Sequence, residues 1–275
     1  MNSFIPKLIG TFINFTGVFA PKYAGKLAIQ LFSIPRKGEL KPNDLTFLNT
    51  ATHKKISYKN FAIQTYQWKN SGDTVVLAHG WESNSSRWKD LIQLLQERHF
   101  NIIALDAPAH GATGNKQFNA VLYSECINEV VSRFQPKILI GHSVGGMASV
   151  FAMHNHNMES ITKLILLGAP DAFSTILNSY ETVMRYNGRT KTAIRNYILK
   201  TFNFLPEDFS TSKFTSTLNA KALIIHDKKD RIIPFQDGVT IKNNYPKSQF
   251  IETKGYGHGL KSTEVYNHIL SFLKA

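Results

Sequence analysis

Cysteine is nearly absent from this chain, which has one cysteine among its 275 residues. Cys126 therefore cannot form an intramolecular disulfide, and its position in a helix-like stretch favours a small buried side chain over a reactive thiol. The sequence also lacks Cys and His clusters at metal-ligand spacing, and it lacks a glycine-rich phosphate loop. We therefore expect neither a bound metal nor a cofactor.

Acidic residues are scarce, with 19 Asp and Glu against 32 Lys and Arg, and the formal net charge is +13. The basic residues are scattered and form neither an Arg-rich run nor a recognisable motif, which argues against a nucleic-acid-binding module. A lysine-rich, well-solvated surface is the favoured explanation, and attraction to anionic lipid or to an acidic substrate is the alternative. The sequence makes no prediction about the oligomeric state.

No apolar run near the N-terminus is long enough to span a membrane, although residues 8–20 carry no charge. Apolar residues recur there at helical spacing, so residues 1–40 are predicted to form an N-terminal helical extension. A cleavable leader is disfavoured because Lys7 is the only basic side chain ahead of the run and Pro21 directly follows it. We expect a cytoplasmic protein. The extension either packs on the protein core or makes peripheral contact with a membrane surface.

Apolar segments of strand length alternate with helix-like segments along most of the chain. Residues 53–68 alternate in polarity and break at Lys59-Asn60, which indicates two antiparallel strands in a hairpin. Six further strands are predicted at about 74–79, 101–106, 137–141, 162–168, 221–227 and 248–253. Helix-like segments lie at about 86–98, 117–134, 144–155, 235–243 and 262–273. This pattern predicts one α/β domain over residues 41–275, with a mostly parallel central sheet of about eight strands flanked by helices.

The pentapeptide Gly141-His142-Ser143-Val144-Gly145 joins a predicted strand to a predicted helix. A turn this sharp brings backbone segments so close together that only glycine fits on either side. The turn leaves the Ser143 hydroxyl exposed above the N-terminus of the following helix. A serine hydroxyl is a poor nucleophile on its own, so a catalytic role requires a base and an acid later in the chain.

Candidate partners for Ser143 follow in the second half of the chain. His258 lies in a glycine-rich loop ahead of the last helix-like segment, and it is the candidate general base. An apolar strand ends in a polar turn that contains two candidate acids, Asp227 and Asp230. Four other histidines are interpreted as hydrogen-bonded structural residues because none of them lies beyond the last strand: His79, His110, His142 and His226.

The order Ser, Asp, His resembles that of the α/β-hydrolase superfamily, and the resemblance extends from about Thr46 to the end of the chain. It implies a triad in which Ser143 is the nucleophile and His258 is the base, while the acid orients the imidazole. The family usually has Gly at the place of Asp227 and its Asp three residues later. The resemblance therefore favours Asp230 as the acid.

The turn at Gly141-His142-Ser143-Val144-Gly145 resembles the nucleophile elbow of this family, and two segments ahead of this elbow are also similar to the family. The segment that ends at Trp81 resembles the third strand and the oxyanion loop, which implies that the backbone N–H groups of Trp81 and Val144 bind the developing oxyanion. Residues 106–113 resemble the turn after the fourth strand, although Ala109 and Thr113 stand where Gly and Ser are usual. Both departures lie in a structural turn.

The segment at about 171–219 does not follow the alternation of strands and helices. In the family that this chain resembles, it corresponds to a helical cap inserted after the sixth strand. Aromatic and apolar residues of this segment are candidates to line an acyl or alcohol pocket: Phe173, Leu177, Tyr180, Phe202 and Phe204. Helical packing without substrate contact is the alternative.

The resemblance implies acyl transfer from a small-molecule acyl substrate through a covalent acyl-enzyme, with a carboxylic ester as the commonest substrate of this arrangement. A thioesterase or an acyltransferase would use the same triad. A non-catalytic binding protein is disfavoured because such proteins often lack a triad member. Lyase chemistry, with His258 as the base and Ser143 as a positioning group, is a further alternative that would use the same residues. A serine nucleophile argues against epoxide hydrolase and dehalogenase chemistry, for which the family uses Asp.

Overall fold

The computed structural model describes residues 4–274, so the first three residues of the predicted N-terminal extension and the last residue of the predicted domain lie outside the described part. Within this part the strands are β1 Thr52–Tyr58, β2 Phe61–Trp68, β3 Thr74–Ala78, β4 Asn101–Leu105, β5 Ile138–His142, β6 Lys163–Leu167, β7 Lys221–Asp227 and β8 Ser248–Thr253. The helices are α1 Phe4–Phe19, α2 Pro21–Phe32, α3 Pro42–Leu48, α4 Lys89–Gln96, α5 Ala120–Phe134, α6 Val144–Asn155, α7 Phe173–Met184, α8 Gly188–Phe202, α9 Thr211–Thr215, α10 Phe235–Asn244 and α11 Thr263–Lys274.

The strands form one eight-stranded sheet in the order β1-β2-β4-β3-β5-β6-β7-β8. Strands β3 to β8 run parallel, whereas β1 pairs with β2, and β2 with β4, in antiparallel fashion. The mostly parallel sheet and the hairpin of β1 and β2 confirm the fold predicted from the sequence. The carboxyl ends of the parallel strands share one edge, and the segments that follow β5, β7 and β8 carry Ser143, Asp230 and His258 there.

Helices cover both faces of the sheet, so the central strands are apolar on both sides. In β3, Val76 and Ala78 are fully buried in a cluster with residues of α5 and α6. Val75 and Leu77 are fully buried in a second cluster with residues of α4 and α11. Cys126 of α5 belongs to the first cluster, where burial raises the pKa of its thiol to about 12. This confirms that Cys126 is a buried residue.

Four helices, α1, α2, α7 and α8, form a second layer that we call the cap layer. Helices α7 and α8 lie between β6 and β7, where the sequence predicts an insertion, whereas α1 and α2 come from the N-terminal segment. Their shared apolar core contains side chains from each of the four helices, including Ile13, Ala28, Leu177 and Ile194. Residues 4–32 of the N-terminal segment therefore form two helices, and these pack against the inserted helices.

Two glycines allow α1 and α2 to lie close to α7 and α8. A Cβ atom at Gly10 would lie 1.7 Å from the carbonyl O of Met184. A Cβ atom at Gly25 would lie 2.3 Å from the carbonyl O of Ala193. Because both obstacles are backbone atoms, any side chain at these positions would push the helices apart.

Candidate active site

Ser143 lies at the sharp turn between β5 and α6. Its backbone has φ 54° and ψ −130°, which is a strained conformation for a residue with a side chain. A Cβ atom at Gly141 would lie 2.5 Å from the Cα of Gly146. A Cβ atom at Gly145 would lie 2.4 Å from the carbonyl O of His79. Only glycine therefore fits on either side of the turn, and the close packing holds Ser143 in its strained conformation.

Three side chains that follow different strands meet at this edge of the sheet. The Nε2 atom of His258 lies 3.0 Å from the Oγ of Ser143, and the Nδ1 atom lies 2.7 Å from the Oδ2 of Asp230. An ionised carboxylate only accepts hydrogen bonds, so the proton of the neutral imidazole is placed on Nδ1 and Nε2 is left to accept the hydroxyl proton. The structure thus brings together the serine, the histidine and one of the two acids that the sequence singles out.

The side chain of Asp230 is buried, and its carboxylate accepts several hydrogen bonds. Oδ1 accepts from the backbone N–H groups of Ile232 at 2.8 Å and Ile233 at 2.9 Å. The Nε2 atom of His226 lies 3.5 Å from Oδ2. Burial alone would raise the pKa of Asp230, but hydrogen bonds from two histidines and a backbone N–H lower it below its ordinary value. The carboxylate therefore stays charged beside His258.

Asp227, the alternative acid, holds the loop that carries His258. Its carboxylate accepts hydrogen bonds from the hydroxyl of Thr253 at 2.8 Å and from the backbone N–H groups of Gly255 at 3.2 Å and Tyr256 at 2.9 Å. These bonds join the end of β7 to the segment that follows β8. The position of Asp227 therefore fits a role in placing the loop, while Asp230 accepts the hydrogen bond from the imidazole.

Two further side chains bind the backbone of the His258 loop. The Nε2–H of His142 donates to the carbonyl O of His258 at 2.8 Å. Burial lowers the pKa of His142 well below its ordinary value, so this ring is neutral and structural. The guanidinium of Arg87 donates to the carbonyl O of Gly259 at 2.9 Å, and burial lowers the pKa of Arg87 to about 10. No motif in the sequence signals the role of Arg87.

The two residues predicted to form the oxyanion hole are neighbours of Ser143 in the folded chain. Val144 is the first residue of α6, where backbone N–H groups have no partner within the helix. Trp81 follows Gly80, at which a Cβ atom would lie only 2.9 Å from the Cβ of Ser143. Trp81, Val144 and Ser143 border the same cavity.

A buried polar network lies beneath the loop that carries Trp81. The carboxylate of Asp106 accepts a hydrogen bond from the hydroxyl of Ser85 at 2.7 Å. The Nδ1–H of His79 donates to the carbonyl O of Gly80 at 2.7 Å, while Nε2 accepts from the backbone N–H of Ala107 at 2.9 Å. Burial lowers the pKa of His79 well below its ordinary value. His79 is therefore a neutral, hydrogen-bonded residue that links the two loops.

A cavity of about 410 Å³ opens beside Ser143, within the range of roughly 300–1,000 Å³ that is usual for small-molecule sites. Its wall is mostly apolar and includes side chains from both parts of the cap layer. Ile29 and Phe32 come from α2, whereas Phe173 and Tyr180 come from α7. Within residues 4–274, no group of three or more His, Cys, Asp or Glu side chains is arranged to hold a metal ion.

Most of the lining residues predicted from the sequence border this cavity, namely Phe173, Tyr180, Phe202 and Phe204. The prediction for Leu177 is wrong, because this side chain is fully buried in the apolar core of the cap layer. The contribution of α2 was not predicted at all. Helical periodicity shows that a segment has an apolar face, but it does not show which distant segment that face will meet.

Comparisons with known proteins give a consistent result. The model of the alpha/beta hydrolase fold family matches residues 73–218. The chain is 21% identical over 230 residues to the AB hydrolase superfamily protein YisY of Bacillus subtilis. This alignment covers 68% of this chain and 85% of that protein. The chain is 27% identical over 114 residues to the pimeloyl-[acyl-carrier protein] methyl ester esterase of Vibrio vulnificus, which covers 40% of this chain and 42% of that protein.

Solved structures show the same fold. An esterase from Exiguobacterium antarcticum superposes with a TM-score of 0.62 at 19% identity, covering 78% of this chain and 96% of that chain. The thioesterase domain from the curacin biosynthetic pathway superposes with a TM-score of 0.61 at 16% identity. The match covers 82% of this chain and 100% of that domain. Since the family match spans more than half of the sequence, this chain belongs to the alpha/beta hydrolase fold family, and its relatives by sequence include an esterase.

Proposed function

We propose that this protein is a serine hydrolase that cleaves carboxylic esters with an apolar acyl group. The observation that carries this proposal is the hydrogen-bonded series from Asp230 through His258 to Ser143, with distances of 2.7 and 3.0 Å, at the wall of an apolar cavity. The imidazole accepts from the hydroxyl on one side and donates to a charged carboxylate on the other. This is the arrangement that activates a serine for attack on an acyl carbon.

In the proposed reaction, the Oγ of Ser143 attacks the acyl carbon while the Nε2 of His258 takes the hydroxyl proton. Asp230 accepts the Nδ1–H bond and stabilises the imidazolium that forms. The backbone N–H groups of Trp81 and Val144 donate to the oxyanion of the tetrahedral intermediate. The imidazolium then protonates the departing alcohol, which leaves an acyl-enzyme. Water, deprotonated by the same imidazole, releases the acid and restores the serine.

The wall of the cavity supports an apolar acyl or alcohol group in the substrate. Aromatic and aliphatic side chains dominate the lining, and such walls bind hydrocarbon through burial of apolar surface. An acyl thioester would react through the same groups, and the chain has a thioesterase domain among its structural relatives. We therefore keep thioester cleavage as the second candidate.

The test uses p-nitrophenyl esters of graded chain length, an acyl-CoA panel and a fluorophosphonate probe. Ser143→Ala should lower turnover by at least roughly 10⁴-fold and abolish labelling, with an unchanged melting temperature. Ser132→Ala, on the exposed face of α5, is the matched control and should keep both the turnover and the labelling by the probe. Full activity of Ser143→Ala would overturn the proposal. Activity confined to acyl-CoA substrates would replace ester cleavage by thioester cleavage.

A further inference from the structure

Helix α1 exposes an unusual set of large apolar side chains. Each of the following is 51–76% exposed: Phe4, Ile5, Leu8, Phe12, Phe15, Val18 and Phe19. Single exposed apolar residues are normal on a protein surface, but a contiguous apolar patch marks an interaction site. No helix in the described part of the chain is long and apolar enough to cross a membrane.

The exposed residues of α1 lie on one side of the helix. At about 100° per residue they fall within an arc of about 140°. The opposite side is buried and consists of Pro6, Gly10, Ile13 and Gly17. Because Gly10 lies against the backbone of Met184, the helix cannot rotate to bury its phenylalanines without breaking this contact. The packing of the cap layer thus fixes the bulky side chains toward solvent.

The segments that form the cap layer are strongly cationic. Residues 4–38 contain five Lys and Arg and no Asp or Glu, and residues 173–202 contain five more with one acidic residue. That residue, Glu181, is buried and its carboxylate bonds the guanidinium of Arg195 at 2.6 Å. Exposed Arg189 lies next to the end of α1, where its guanidinium reaches the carbonyl O of Val18 at 3.4 Å. Exposed Lys22 follows in α2.

We propose that the apolar face of α1 docks onto an anionic lipid surface, with its side chains among the acyl chains and the neighbouring Lys and Arg at the headgroups. An amphipathic helix that lies flat on a membrane combines the same two features, bulky apolar residues and flanking cations. A second copy of this chain fits less well, because two faces with the same charge repel each other. Anionic lipid supplies the opposite charge.

Docking of this kind would bring the cavity close to the membrane. Met184, whose carbonyl O lies against Gly10, also lines the cavity beside Ser143. Its neighbour Val183 lines the same cavity and is 57% exposed. The buried side of α1 therefore packs against a helix whose residues line the cavity.

The test measures co-sedimentation of the full chain with vesicles of phosphatidylglycerol and phosphatidylcholine, and with phosphatidylcholine alone. We expect binding to the anionic vesicles that weakens at high salt, since salt screens exposed charges. The double variant Phe12→Gln/Phe15→Gln should weaken binding at least tenfold. Gln keeps the helix because it is a good helix former. The matched control is Leu45→Gln/Leu205→Gln, which removes exposed apolar side chains elsewhere and should bind normally.

A second double variant, Lys22→Glu/Arg189→Glu, should also weaken binding to anionic vesicles, and its remaining binding should depend less on salt. Activity of Phe12→Gln/Phe15→Gln on a water-soluble ester should equal that of the unmodified chain, so binding is measured independently of catalysis. Failure of the full chain to bind anionic vesicles would overturn the proposal. So would a large drop in the melting temperature of Phe12→Gln/Phe15→Gln, or a dimer that this variant dissociates in the absence of lipid.

Discussion

The sheet edge and the cap layer both depend on glycines, but these glycines act over different distances along the chain. At the elbow, Gly141 approaches Gly146, and both residues belong to the same turn. In the cap layer, Gly25 of α2 approaches Ala193 of α8, which lies far away in the sequence. A contact between residues close together in the chain can be recognised in the sequence as a short motif, such as the nucleophile elbow. A contact between distant segments cannot be recognised from a short motif, because the sequence of neither segment specifies the segment against which it packs.

The two regions also hold different parts of the site. The sheet edge places the reacting atoms, with the Nε2 of His258 3.0 Å from the Oγ of Ser143. The cap layer supplies much of the apolar wall. We therefore expect substitutions at the sheet edge to change the rate of the chemical step. Substitutions in the cap layer should change stability and the preferred length of the acyl chain.

Of the substitutions that compare the two regions, Asp230→Asn is expected to have the largest effect. Asp230→Asn removes the charge beside the Nδ1–H of His258 and should lower kcat by roughly 10²–10⁴-fold. Asp227→Asn is the matched control, because it makes the same chemical change in a carboxylate that binds the loop backbone instead. It should lower kcat much less and reduce the melting temperature. Steady-state kinetics on a soluble ester and thermal melts measure both. A larger kcat loss for Asp227→Asn would contradict the assignment of the acid.

An intermediate effect is expected at Gly25 in the cap layer. Gly→Ala in a helix normally stabilises a protein by about 0.4–1 kcal/mol. At Gly25 the new Cβ atom would lie 2.3 Å from the carbonyl O of Ala193, so Gly25→Ala should instead lower the free energy of unfolding by about 1–3 kcal/mol. Gly25→Ala should also reduce kcat/KM for long-chain esters more than for acetate esters, because α2 lines the cavity.

The control for Gly25→Ala is Gly188→Ala in α8. No atom lies within 4 Å of the Cβ position at Gly188, so the same substitution should leave stability unchanged or raise it. Denaturant unfolding compares the two variants. Equal changes in the free energy of unfolding would show that α2 and α8 do not pack as closely as the structure indicates.

The smallest effect is expected from the titration of His142. Its folded-state pKa lies well below the ordinary value of 6.5 because the ring is buried. The unfolded chain therefore takes up a proton near pH 6.5 while the folded chain does not, and stability falls as the pH drops below this value. The contribution of one such group is at most about 1.4 kcal/mol per pH unit.

The variant His142→Gln tests this contribution because Gln keeps an N–H donor for the carbonyl O of His258 but does not titrate. The loss of melting temperature between pH 7.5 and 5.5 should be smaller in this variant than in the unmodified chain. His99→Gln, at an exposed position, should show the same loss of melting temperature between pH 7.5 and 5.5 as the unmodified chain. An identical pH dependence for His142→Gln and the unmodified chain would contradict burial of a neutral ring.

The sheet and the elbow are predictable from the sequence to within one or two residues. The strand predicted at 137–141 is Ile138–His142, and the one predicted at 248–253 is Ser248–Thr253. Central parallel strands are buried on both faces, so they appear as continuous apolar runs between helices. The partner acid was left open between Asp227 and Asp230 by the residues alone. Only the folded loop shows which carboxylate meets His258.

The sequence by itself determined the order of strands and helices and the elbow at Ser143, because periodicity and short-range sterics act between residues close together in the chain. It also singled out His258 as the base, but it left the acid open between Asp227 and Asp230. The tertiary structure alone decided that α1 and α2 join the inserted helices, that Leu177 is buried among them and that Arg87 binds the backbone beside His258. These contacts join segments far apart in sequence. Their geometry depends on how whole surfaces fit together, and no local pattern records that fit.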